Sequence, residues 1–172
     1  FSFFSDKSDI LIQKFSGKGN FFEISEGDLK IKLSEDIQIE SNFKSKIKYD
    51  VKSAELLSFL KDFNYLENLN FFDGNLNNNL KLSLDKTYKI KDYNLKSSGD
   101  VFNSTIKFSD KFPKNILKNE LKVLSLKNSK LEANYSLKNN SIFLSGKYSL
   151  NNKNFLDFNL ANSFNKNLLN LK

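Results

Sequence analysis

A chain of 172 residues is long enough for one domain with a sizeable core, and its apolar share of 39% gains bulk from 18 Phe and 6 Tyr. The net charge of +7 comes from Lys alone, because the chain has no Arg, and it also lacks His, Cys, Met and Trp. The Lys residues are dispersed among apolar ones, and without Arg there is no bidentate recognition of bases or phosphates. We therefore expect no nucleic-acid partner.

The residue types that most catalytic and metal chemistry needs are missing. Without His or Cys, a general base or nucleophile would have to be Asp, Glu, Lys, Ser or Tyr, and carboxylates such as Asp28, Asp85 and Asp100 occur singly beside predicted turns. Acids at such positions are typical of turns and caps. Asp73-Gly74-Asn75 lacks the downstream ligands of a calcium loop and predicts a hairpin turn. We expect no enzyme activity, no catalytic residue, no metal site and no cofactor.

Alternation of apolar with polar residues is the dominant pattern along the chain. Leu29-Lys30-Ile31-Lys32-Leu33 and Leu80-Lys81-Leu82-Ser83-Leu84 are examples, and this period of two places apolar side chains on one face of a strand. Gly and short polar groups between such runs are interpreted as turns. The predicted strands are 10–16, 20–25, 28–34, 36–41, 43–51, 69–76, 78–85, 87–91, 93–98, 100–109, 129–138, 140–150 and 153–161.

One segment, 53–63, departs from this pattern and predicts a short α-helix. Leu56, Leu57 and Leu60 fall on one helical stripe, and Ser53 is a suitable N-cap residue. Further along, Pro113 and its polar neighbours predict a break near 110–115. The spacing of apolar residues over 116–126 fits a helix or a strand, and both interpretations stay open.

The predicted fold class is mainly β, a long curved and largely antiparallel sheet with one short helix. Short connections favour antiparallel neighbours, because parallel strands need long crossovers. One three-turn helix covers two or three strands at most, so the apolar face needs another environment. It can pack against a second sheet as a sandwich, close into a barrel, or form a trough for an apolar ligand.

Two stretches resemble the AsmA-like family of bacterial envelope proteins, of the TamB and YhdP type. Both 80–101 and 126–160 repeat runs of apolar residues alternating with polar ones, interrupted by Gly in Ser98-Gly99-Asp100 and Ser145-Gly146-Lys147. The predicted helix 53–63, placed between strands, is similar to the middle region of the YhdP type. The resemblance covers most of the chain and lies in style rather than in invariant motifs.

The resemblance implies a taco-like β-groove with a hydrophobic interior, as in bridge-like lipid transfer proteins. Such proteins are anchored in the inner membrane of Gram-negative bacteria, cross the periplasm, and are linked to phospholipid transport and outer-membrane biogenesis. We expect residues 1–172 to be a single internal segment of such a protein, because the chain starts at Phe1 and contains no Met. Its partners would be phospholipid acyl chains, and the membrane through an N-terminal anchor outside this sequence.

Strand phase predicts which side chains line that groove. The expected lining residues are Leu29, Ile31, Leu33, Leu80, Leu82, Leu84, Ile142, Leu144, Tyr148 and Leu150. Leu56, Leu57 and Leu60 of the predicted helix would cover part of the groove or, equally well, pack in an ordinary core.

Two other structures fit the same alternation. A β-sandwich module of a cell-surface adhesin would fill its apolar faces with two stacked sheets about 10 Å apart. An outer-membrane barrel fragment would have an outward apolar band with aromatic girdles, and the many Lys residues argue against it.

Overall fold

The computed structural model describes residues 1–51, 69–108 and 122–164, which form one sheet of nine strands in chain order. Each strand pairs antiparallel with the next, and the described residues contain no helix. The mainly β, antiparallel fold class is therefore confirmed. The strands are β1 (Ser2–Ser5), β2 (Asp9–Lys18), β3 (Phe22–Leu33), β4 (Ile37–Asp50), β5 (Leu69–Leu84), β6 (Ile90–Lys107), β7 (Val123–Ser136), β8 (Asn140–Ser149) and β9 (Leu156–Phe164).

The strands are fewer and longer than predicted, because several supposed turns lie inside them. Asp73-Gly74-Asn75 is part of β5, so the hairpin turn predicted there is wrong. A Cβ on Gly74 would lie 2.7 Å from the carbonyl oxygen of Asp100 and 3.0 Å from the ring of Phe72. Glycine therefore lets the neighbouring chain and ring approach closely at this point, and a register shift beside it absorbs the irregularity.

Other predicted boundaries moved or cannot be compared. The strand predicted at 153–161 is β9, which begins at Leu156, and β1 was not predicted at all. Of the ambiguous segment 116–126, the part from Val123 onward belongs to β7. The predicted helix 53–63, with Leu56, Leu57 and Leu60, and the predicted break near 110–115 lie outside the described residues.

Cross-strand register assigns the side chains to two faces. Residues opposite each other in paired strands point to the same side of a sheet. Ile39, Leu82 and Tyr93 are opposite one another and define what we call the apolar face. Their chain neighbours Glu40, Lys81 and Asn94 are also opposite one another and define the polar face. All buried apolar side chains among the described residues (Tyr49, Leu76, Val101 and Leu126) lie on the apolar face.

Aspartates organise two turns at the same end of the sheet. Asp85 Oδ1 accepts hydrogen bonds from Thr87 Oγ1 at 2.7 Å, from Thr87 N at 2.7 Å and from Lys89 N at 3.0 Å. Asp6 Oδ1 accepts bonds from the backbone N–H groups of Ser8 and Asp9, each at 2.7 Å. The bond from the Thr87 hydroxyl, followed by that from Lys89 N, lowers the pKa of Asp85, and the backbone bonds lower the pKa of Asp6.

These turns predict a stability that falls in acid. The folded-state pKa of Asp85 is depressed, so its contribution is present above its ordinary pKa and is lost as the pH falls through the folded-state value. Asp85→Asn keeps one acceptor oxygen but has no charge to lose. We expect the variant to be less stable than the wild type at pH 7 and to lose less of its stability on acidification. Urea unfolding across that pH range tests this, and parallel curves for the two proteins would contradict it.

Candidate functional site

Charge is segregated between the two faces of the sheet at the positions that pair across strands. At the paired positions of the described strands, no Lys, Asp or Glu lies on the apolar face. The polar face, by contrast, carries Lys44, Lys46 and Lys48 on β4 and salt bridges such as Lys81–Glu40 at 3.4 Å and Lys130–Asp100. A face that carries no charge at its paired positions can contact hydrocarbon there without desolvating an ion.

The structure places nearly all the predicted lining residues on the apolar face. Register places six of them in three adjacent rows at one end of the sheet: Leu29, Ile31, Leu33, Leu80, Leu82 and Leu84. Ile142, Leu144 and Tyr148 share the face but lie on β8, three strands from β5. Leu150 follows the end of β8 and is an exposed loop residue. That these side chains line a lipid groove stays a prediction.

The prediction omitted side chains of β4, β6 and β7 that share this face. Ile39 lies opposite Leu82, Leu95 lies opposite Leu80, and Leu131 lies opposite Leu144. The rings of Tyr93 and Tyr135 also meet there, with centroids 5.4 Å apart. All five residues lie inside the predicted strands 36–41, 93–98 and 129–138, where their alternation with polar residues was visible, but they were not named as lining residues.

Most of the apolar face is only half-buried, because the described residues form a single layer. Val101 is 2% exposed where it lies between Gly74 and Ser129, whereas Leu33 is 45% and Leu156 is 59% exposed. Leu29, Ile31, Leu80, Leu82 and Leu84 are half-buried. No second sheet is present among the described residues to cover these side chains.

A short polar row crosses the middle of the apolar face. It consists of Ser45, Asn78 and Ser97 on β4, β5 and β6. Asn78 Nδ2 donates to Ser45 Oγ at 2.9 Å, and Ser97 Oγ donates to Asn78 Oδ1 at 2.8 Å. Because these groups satisfy one another, the row interrupts the apolar surface without exposing unpaired donors or acceptors along it.

The hydrogen bonds of the polar row predict that Asn78 stabilises the fold, although it is a polar side chain on the apolar face. Asn78→Ala removes the shared partner of Ser45 and Ser97, so we expect a loss of about 1–2 kcal/mol in the free energy of unfolding. The neighbouring Asn77 is exposed on the polar face, and Asn77→Ala is expected to change stability by less than about 0.5 kcal/mol. Urea unfolding of both variants measures the difference, and equal losses would contradict the role given to the row.

Three concavities formed by described residues are lined mainly by side chains of the polar face. One of about 600 Å³ is lined by residues that include Asn79, Lys96, Glu132 and Phe143. Two smaller ones, of about 220 and 200 Å³, are walled by charged side chains such as Lys81 and Lys46. Charged side chains stand in the wall of each concavity, so a hydrocarbon bound there would lie against an ion, which the paired positions of the apolar face do not impose.

Within the described ranges, no cluster of His, Cys, Asp and Glu could hold a metal ion. The same ranges contain no helix with the length and hydrophobicity needed to cross a membrane. No family model, curated protein or solved structure matches the chain.

Proposed function

We propose that this chain binds phospholipid acyl chains on the apolar face and is a segment of a protein that conducts phospholipid between two membranes. The observation that supports this most directly is the segregation of charge, because every charged side chain at a paired position lies on the other face. An ordinary water-soluble sheet needs a cover for such a face, and hydrocarbon is a cover of matching chemistry.

The dimensions of the face suit an acyl chain. β5 has 16 residues, and at about 3.3 Å per residue it runs for roughly 50 Å. One acyl chain of a bilayer leaflet spans about 15 Å, half of the roughly 30 Å hydrocarbon core. The face is therefore long enough for several chains, lying along or across the strands.

Energetics favour transfer over a continuously apolar surface. A sixteen-carbon chain is worth about 13 kcal/mol against exposure to water, at about 0.8 kcal/mol per methylene. Each unpaired polar group on the path would oppose this by about 1–3 kcal/mol. The satisfied hydrogen bonds of Ser45, Asn78 and Ser97 keep that barrier low where polar side chains interrupt the face.

The cellular role in this proposal follows the resemblance to AsmA-like proteins. The full-length protein would be anchored in the inner membrane of a Gram-negative bacterium, and this segment would carry phospholipid through the periplasm towards the outer membrane. In this proposal the chain contributes no catalytic group and instead shields the acyl chains of the phospholipid from water during transfer.

Native mass spectrometry of the protein purified from bacterial membranes tests the proposal. We expect monomers with added masses of phospholipids, identified by extraction and chromatography. Lipid-free monomers would contradict the proposal. Lipid-free dimers would also contradict it and would indicate instead that two copies bury their apolar faces against each other, as in a sandwich.

A further inference from the structure

The turn between β5 and β6 displays an aromatic side chain to solvent. Tyr88 is 74% exposed at the tip of this turn, and Ile90, which begins β6, is 61% exposed. Both are large apolar side chains that the remainder of the described sheet does not cover. Lys86 and Lys89 flank the tyrosine in sequence and are exposed as well.

The backbone at this tip holds the tyrosine in an unfavourable conformation. Tyr88 has φ = 62°, in the left-handed region that bulky side chains rarely adopt. Asn, which tolerates that region, occupies it at Asn128 and Asn152 elsewhere in this Asn-rich chain. The conformation at Tyr88 is maintained by the bonds to Asp85 Oδ1 and by Tyr88 N donating to Asp85 O at 2.9 Å. The turn is thus pre-organised to present an exposed ring.

The tip is continuous with the apolar face. Leu33 lies opposite Ile37, Ile37 opposite Leu84, and Leu84 opposite Ile90, so these residues form the last row of the apolar face at this end. Lys91 Nζ contacts Asp36 Oδ2 at 2.6 Å, which ties the β5–β6 hairpin to the neighbouring β3–β4 turn. The Asp36 carboxylate is paired with Lys91, and the Asp85 carboxylate accepts hydrogen bonds within the turn. The side chains of Lys86 and Lys89 are exposed beside Tyr88.

We propose that the β5–β6 tip docks on a phospholipid bilayer, with Tyr88 at the headgroup level and Lys86 and Lys89 on lipid phosphates. Tyrosine prefers the membrane–water interface, and lysines near a membrane surface are attracted to anionic lipids. The inference goes beyond the proposed function and does not require it, although a tip at the end of the apolar face would place that face next to a membrane.

A single tryptophan can report the docking, because the chain has none of its own. Tyr88→Trp keeps the interfacial preference and adds a fluorophore at the tip. Asn152→Trp is the matched control: it is exposed, has the same φ of 62°, and lies in the β8–β9 turn at the opposite end of the sheet. With vesicles of phosphatidylcholine and phosphatidylglycerol, we expect a blue shift and protection from an aqueous quencher for Tyr88→Trp only. Equal shifts at both positions, or none at Tyr88→Trp, would overturn the proposal.

A second variant separates this inference from acyl-chain binding. Tyr88→Ser should lower the partition coefficient onto the same vesicles by roughly five-fold, since the ring no longer leaves water. Its co-purified phospholipid, measured by native mass spectrometry, should stay at the wild-type level. Wild-type vesicle binding by Tyr88→Ser contradicts docking through the tip. A shift for Tyr88→Trp in a protein that carries no phospholipid would support the tip and contradict only the proposed function.

Discussion

Replacing Gly99 by Ala is expected to destabilise the protein by about 2–3 kcal/mol, the cost of overpacking a site that cannot relax. Gly99 lies on the apolar face of β6, opposite Leu76 of β5 and Leu131 of β7. A Cβ at this position would collide with the carbonyl oxygen of Asn75 and would lie 3.0 Å from the Cα of Leu76. These are backbone atoms of a paired central strand, so relief requires β5 and β6 to separate.

Gly17→Ala is the matched control for this prediction. Gly17 is also inside a strand, β2, but nothing lies within 4 Å of a Cβ built there. Alanine costs less backbone entropy than glycine on folding, so we expect Gly17→Ala to be neutral or slightly stabilising. Urea unfolding with a circular-dichroism signal gives both free energies. A Gly99→Ala variant as stable as Gly17→Ala would show that β5 and β6 are not paired in this register.

Replacing Leu80 by Asp is expected to reduce bound phospholipid at least about ten-fold. Leu80 lies on the apolar face between Ser41 and Leu95. A carboxylate there would have to lose its water under an acyl chain with no cation on that face to pair with, and one unfavourable interaction of about 1.4 kcal/mol already weakens binding ten-fold.

Asn79→Asp places the same charge one residue away and on the opposite face. Asn79 is half-buried like Leu80, and its neighbours in register are Asn42 and Lys96, so a new carboxylate meets a cation. We expect this control to keep its bound lipid and its strand content. Native mass spectrometry and circular dichroism of the two variants decide the matter. Equal lipid in both would show that acyl chains do not lie on the apolar face, and loss in both would point to a general effect of negative charge.

The alternation along β3, β4 and β5 was sufficient to predict which side chains share a face. In Leu29 to Leu33 and in Leu80 to Leu84, each apolar residue is followed by a polar one, and register places the apolar members on the same face, on either side of β4. The period of two follows from the backbone geometry of a single strand, so the shared face can be predicted without knowing the neighbouring strands. The polar row of Asn78 was not predicted, since an Asn on an apolar phase reveals its partners only when β4 and β6 are in place.

The local sequence therefore determined the fold class, the antiparallel order implied by short connections, and the sorting of Leu29, Ile31, Leu80, Leu82, Ile142 and Leu144 onto one side. Only the tertiary structure decided how long the strands are and whether a glycine lies in a turn or inside a strand. Gly74 and Gly99 are compatible with a turn when only their neighbours in sequence are considered. Both lie inside strands, where the backbone of the paired strand is too close to leave room for a side chain. That close approach depends on contacts between residues that are distant in sequence.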